Sequence, residues 1–161
     1  MARFSRENWL DMGLMALAEA GPEALTIEAL CARASLTRGS FYHHFAGVEA
    51  FLAAVAQRWH QRDTENIIRL SERETQDKLE ALNRLTSVLD HRLEQAMRRL
   101  GAQHESVRAS IHATDKRRIG YLVKLHIESG DFEPDAAELL AQVTYAAFIG
   151  FQQIAPDMPP E

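Results

Sequence analysis

Residues 36–45 read LTRGSFYHHF. Thr37 is a good helix N-cap, small Gly39 and Ser40 follow, and Phe41, Tyr42, His43 and His44 fall within barely one further turn. A helix this brief buries too little surface to stand alone, so neighbours must hold it. Its aromatic density exceeds what holding requires, which points to contact with something outside the domain.

The preceding residues supply the holder. From Thr26 to Ala34, the apolar side chains Ile27, Leu30, Cys31 and Ala34 recur at i, i+3, i+4 and i+7, one face of a helix capped by Thr26. Ser35 and Leu36 make a two-residue corner into the Thr37 cap. Helix, tight corner and second short helix form a helix-turn-helix, whose second helix enters the major groove of DNA while the first crosses the backbone. In cap, spacing, turn and aromatic pair, Thr26 to Phe45, followed by a helix starting near Val48, resembles the DNA-binding region of the tetracycline-repressor-like (TetR) family of bacterial transcriptional regulators. The motif covers about the first third of the chain. Two positions depart from the family pattern. Ser35 stands where a glycine is habitual, and serine is strained if that corner needs a positive φ. Val48, behind Ala46 and Gly47, stands where a phosphate-gripping lysine is common; Arg3 or Arg6 is available to replace that charge.

The resemblance implies roles for the short helix, whose start reads base edges in that family and whose tyrosine clamps the phosphate backbone. By position, Arg38 and Ser40 become base readers, Thr37 a cap and phosphate contact, and Tyr42 a phosphate contact. The chemistry suits these roles: arginine bridges guanine O6 and N7, and a hydroxyl serves several bases. Gly39 permits close approach, and Thr26 combines its cap with a phosphate contact. His43 and His44 add positive charge when protonated, so binding is expected to strengthen as pH falls toward about 6. Phe41 and Phe45 read as core anchors.

Composition bounds the alternatives. The chain has 161 residues, 46% hydrophobic, enough for a real core in one or two small domains. A net charge of −5 excludes a protein that coats nucleic acid indiscriminately. Within residues 1–60, five arginines (Arg3, Arg6, Arg33, Arg38, Arg58) face six carboxylates (Glu7, Asp11, Glu19, Glu23, Glu28, Glu49). Any DNA contact therefore depends on local charge. Cys31 is the single cysteine, lies in an apolar stripe and reads as a core thiol in a reducing compartment. No apolar run approaches transmembrane length and no basic-then-apolar signal pattern opens the sequence, so a cytoplasmic protein without membrane contact is expected.

The spacing predicts an all-α chain: a helix-turn-helix domain of three helices over 1–47, joined by a long helix to a C-terminal helical bundle over 48–161. Ser5 caps a first helix carrying Trp9, Leu10, Leu14, Leu17 and Ala20, ended by Gly21 and Pro22. The connector runs from Val48 through Phe51, Leu52, Val55, Trp59 and Ile67. A break over Ser71–Asp77, with Ser71 and Thr75 as cap candidates, precedes one long stripe of Leu79, Leu82, Leu85, Leu89, Leu93, Ala96 and Leu100 closed by Gly101. A further helix holds Val107, Ile111, Ile119, Leu122 and Leu125, with Asp115, Lys116, Arg117 and Arg118 reading as a solvated face. The last helix, about Asp135 to Gln153 behind Pro134, is apolar over much of its circumference. Burial against a second copy of the chain is implied at Leu139, Val143, Ala146, Ala147 and Gly150.

These readings converge on a homodimeric, sequence-specific regulator, a repressor, binding a near-palindromic double-stranded operator. The resemblance adds release by an unknown small-molecule effector in the C-terminal domain, for which His91, Met97, His112, Tyr121, His126, Tyr145 and Phe148 are candidate contacts. No cofactor, metal or catalytic residue is expected, because no Gly-rich phosphate loop, GxSxG elbow or His-Glu-x-x-His run occurs. One rival is a metal-binding bundle, with His91/Glu94 and His112/Asp115 as i, i+3 pairs. Another is an interaction module that does not bind DNA.

Overall fold

The structure is a computed structural model describing residues 4–74 and 77–154. These residues form helices and no strand: α1 (Arg6–Ala20), α2 (Ile27–Ala34), α3 (Arg38–Tyr42), α4 (Val48–His60), α5 (Asn66–Ser71), α6 (Lys78–Ser87), α7 (His91–Gln103), α8 (Glu105–Ser129) and α9 (Pro134–Ile154). A 3₁₀ turn at Pro22–Ala24 follows α1, and a π turn at Gln61–Glu65 joins α4 to α5. The all-helical reading holds. Two compact units result, one of the chain up to His60 with Arg92–Ile111, the other of Gln61–His91 with the chain from His112 onward.

Local chemistry sets the helix starts of the first unit. Ser5 Oγ accepts from the Asn8 amide at 3.2 Å, and Asn8 Oδ1 accepts from the Ser5 amide at 2.8 Å, a capping box that opens α1. Gly21, at φ 80°, ends it. Thr26 and Thr37 cap α2 and α3 by accepting from the Ala29 and Ser40 amides at 3.2 and 3.3 Å. Trp9, Leu14, Leu17, Leu30, Phe41, Phe51, Val55 and Trp59 are buried in one core, which Leu93, Ala96, Met97 and Leu100 of α7 and Val107 and Ile111 of α8 complete. Ala20 is exposed, at the edge of the α1 stripe. The lone thiol of Cys31 is buried in the same core, which pushes its pKa up and keeps it a packing group.

Four sequence expectations need correction. The stripe from Leu79 to Leu100 belongs to two helices: α6 stops at Ser87, where the Thr86 and Ser87 hydroxyls donate to carbonyls of the preceding turn at 2.9 Å each. Val88 is exposed there, and Leu93 begins packing in the first core while Leu79 and Leu82 pack in the second unit. Gly101 lies inside α7. A Cβ on it would collide with the Ile111 side chain, so this glycine permits close approach and ends nothing. The patch at 115–118 is engaged: Arg118 Nε donates to Thr64 Oγ1 at 2.8 Å and its Nη1 to Tyr145 Oη at 3.2 Å, while Tyr145 Oη donates to Asp115 Oδ1 at 2.6 Å. Arg117 makes a two-pronged pair with Glu65 at 2.8 and 3.2 Å. Asp77, by accepting from the Glu80 amide, caps α6; the Ser71 hydroxyl is bonded to Tyr121 Oη at 2.8 Å, and Thr75 lies outside the described residues.

In the second unit Glu72 accepts from Lys124 Nζ at 2.6 Å and pairs with Lys78 Nζ at 3.1 Å. The hydrogen bond from Lys124, then that from Lys78, lowers its pKa from the ordinary 4.5 to about 2. The folded state thus holds this carboxylate ionised where an unfolded chain protonates it. Its stabilising contribution is complete above pH 4.5 and lost as pH falls toward 2. Glu72→Gln is therefore expected to lower the melting temperature at pH 7 and to leave a shallower loss of stability between pH 4.5 and 2, measured by thermal melts across that range. Parallel wild-type and variant profiles would contradict this.

Candidate nucleic-acid interface

Phe41 fixes the short helix. Its fully buried ring meets Trp9 of α1 edge-on at 5.5 Å and lies 5.4 Å from Phe51 of α4 and 5.3 Å from Phe45. Burying such a ring is worth about 3–5 kcal/mol against truncation to alanine, far more than a five-residue helix gains by itself. Ser35 turns the corner in the left-handed region, at φ 53° and ψ 39°, so the condition under which a serine is strained there is met. The Ser35 amide donates to Ala32 O at 3.1 Å and the Leu36 amide to Cys31 O at 3.0 Å, the bonds of a Schellman turn, which offset the cost of placing a side chain there.

With Phe41 and Phe45 inside, Thr37, Arg38, Gly39, Tyr42 and His43 stand exposed, as does Thr26 at the start of α2, while Ser40 is half-buried. Tyr42 leaves 53% of its surface to solvent although its ring edge packs on Phe41 at 5.7 Å. His44 sits differently: half-buried, its Nε2 bonds the Phe4 carbonyl at 3.2 Å and holds the segment before α1 against the corner.

Charge around the corner is largely paired. Arg33 meets Glu19 at 2.8 Å, and Arg58 grips Asp11 through Nε and Nη2 at 2.8 and 3.1 Å, tying α2 and α4 to α1. Arg38 pairs with Glu28 of α2, both side chains more than three-fifths exposed. Glu28 was not singled out in the sequence, because apolar spacing marks only the inward face of α2. Val48 packs against the core, and Arg6 lies over the Phe45 ring at 5.2 Å, a cation beside α3; Arg3 lies outside the described residues.

The effector candidates fall into separate surroundings. His91, Phe148 and Tyr145 form an aromatic row in the second unit, with centroids 5.9 and 6.4 Å apart. Tyr121 is bonded to Ser71, His126 lies edge-on to Phe132 at 5.6 Å, and His112 is exposed. Met97 is fully buried in the core of the first unit. The carboxylates of the rival metal reading are engaged, Glu94 with Arg98 at 2.8 Å and Asp115 with Tyr145. Among the described residues no three metal-ligating side chains gather.

Residues 10–55 match the family described as bacterial regulatory proteins, tetR family. Residues 10–55 thus carry the helix-turn-helix pattern of that family. Solved structures share the TetR-type fold along nearly the whole chain. Reduced NemR of E. coli superposes with a TM-score of 0.78 at 22% identity, covering 94% of this chain and 87% of that one. A TetR/AcrR family member gives 0.81 at 23% identity with the same coverage. SmeT of Stenotrophomonas maltophilia, the repressor of the multidrug efflux pump SmeDEF, gives 0.69 at 22%, covering 96% and 81%, and is also known in complex with triclosan. No curated protein matches the chain. No helix among the described residues is long and apolar enough to cross a membrane.

Because Arg38 and Tyr42 are exposed, substituting them leaves stability within about 0.5 kcal/mol. In anisotropy titrations, Arg38→Ala is expected to cost about 1–3 kcal/mol on a preferred duplex and to relax its base preference. Tyr42→Phe should cost about 1 kcal/mol on every sequence alike. Wild-type affinities for both variants would contradict these roles.

Proposed function

We propose that the protein is a homodimeric transcriptional repressor that holds a near-palindromic operator through two copies of α3 and leaves it when a small molecule binds. DNA contact belongs to residues 1–47, through Thr26, Thr37, Arg38, Gly39, Ser40, Tyr42 and His43. Dimerisation and effector binding belong to residues 48–161. The observation that carries the reading is the corner itself: a five-residue helix anchored by one buried phenylalanine and presenting arginine, threonine and tyrosine to solvent.

A single α3 makes too few base contacts for high affinity, so a second copy must share the load. Helix α9 supports that arrangement. Leu139 and Val143 are 64% and 57% exposed, and Ala146, Ala147 and Phe151 continue the apolar surface. Open space surrounds Gly150, which suits close approach of another helix. The row of His91, Tyr145 and Phe148, with Arg118 and Asp115 at the tyrosine hydroxyl, supports an effector that stacks and hydrogen-bonds. SmeT, which has a similar fold, has been solved in complex with triclosan, and this supports the reading. An effector acts by binding one of two conformations more tightly.

Selection from a random duplex pool tests the reading. A two-fold symmetric site is expected, bound by a dimer with a steep salt dependence. Leu139→Asp combined with Val143→Asp should give a monomer by light scattering and lower operator affinity by about 10²-fold or more. No enriched site from a folded wild-type dimer would overturn it.

A further inference from the structure

The ion pair between Glu28 and Arg38 places an acid where a DNA-binding face needs positive charge. Glu28 is the second residue of α2 and Arg38 the first of α3, so the contact joins the starts of the two helices of the motif. Both side chains are exposed, 62% and 64%, so the pair adds little to stability. Helix electrostatics explains half of the arrangement. An acid suits the first turn of α2, whereas a cation at the first turn of α3 is at the wrong end of the dipole, and Glu28 offsets it.

A guanidinium has five donors, and a carboxylate accepts several hydrogen bonds. Contact with one carboxylate leaves Arg38 a free pair of N–H groups to meet guanine O6 and N7, with its fork held in one direction. The remaining acceptor sites of Glu28, exposed beside Arg38 at the start of α2, are then available to a neighbouring base pair. Guanine and thymine edges offer oxygen acceptors there and are repelled; adenine sets its N6 donor beside an N7 acceptor that repels a carboxylate, whereas cytosine offers its N4 amino group alone and is accepted. We infer that Glu28 is a specificity-determining and positioning residue: it aims Arg38 at a guanine and selects an adjacent cytosine through its N4 amino group. This rests on the proposed operator binding and adds the base composition that each half-site must contain.

The test measures the full-length wild type, Glu28→Ala, Glu28→Gln and Arg38→Ala by anisotropy. Each is titrated on the selected duplex, on duplexes changed at one base pair of each half-site, and on a duplex of unrelated sequence. Circular dichroism melts check that the exposed substitutions leave the fold intact. Expected is one cytosine, next to the guanine lost on Arg38→Ala, whose replacement weakens wild-type binding on the order of tenfold and Glu28→Ala binding hardly at all. Removing the carboxylate should also tighten binding to the unrelated duplex several-fold, since it stands near phosphates. Glu28→Gln keeps an acceptor oxygen and should retain part of the cytosine preference. Identical base preferences in wild type and Glu28→Ala at every position would overturn the inference, even if overall affinity changed. Failure of the wild type to select any site would instead overturn the regulator reading on which it rests.

Discussion

A five-residue helix keeps its place only through its neighbours, and for α3 the contact that matters is the insertion of Phe41 among Trp9, Phe45 and Phe51. The ring belongs to the same short segment as Arg38 and Tyr42, so one buried side chain fixes the direction of the exposed ones. The rest of the first unit serves that insertion. The capping box starts α1 where Trp9 can reach it, and the Asp11–Arg58 fork clamps α1 to α4. At Gly13 a Cβ would lie 2.7 Å from the Phe51 ring, so the two helices approach closely enough for Phe51 to meet Phe41. The left-handed Ser35 then lets α2 and α3 meet at a corner tight enough for Glu28 to touch Arg38.

Much of this was legible because it is local. Thr26 and Thr37 act as caps through amides three residues away, and Phe41 and Phe45 follow from the spacing within one turn. At Ser35 the sequence raised the question of a positive φ, through the glycine habitual at that corner, and the structure answers it with φ 53°. What failed to read was decided by distant partners. Gly101 looks like a helix stop in sequence and is a contact point for Ile111 in space. The leucine spacing runs on through Leu89, yet α6 ends at Ser87, in the turn where the Thr86 and Ser87 hydroxyls bond back to the chain. Arg117 and Arg118 look like a solvated run because their partners Glu65 and Thr64 lie about fifty residues earlier. Glu28 went unread because periodicity describes the buried face of α2 and is silent about the outer one.

The same distinction separates the two units. Exposed polar groups on the corner form a short, chemically coherent set, and the TetR-type motif gives them a context. The second unit is held by a different kind of interaction. Glu72 lies between Lys78 and Lys124, Ser71 meets Tyr121, and Arg118 joins Thr64 to Tyr145, so polar ties supplement its small apolar clusters. Such ties respond to charge and hydrogen bonding, which is the chemistry that the proposed effector would compete for.

Hydrogen–deuterium exchange on the protein, free and bound to its selected duplex, tests the central claim most directly: that the Phe41-anchored corner is the surface DNA meets. The account predicts slowed exchange concentrated in the amides of Ile27–Ala29 and Arg38–His43. Unchanged exchange there, with protection confined to residues 61–91 or to α9, would contradict it.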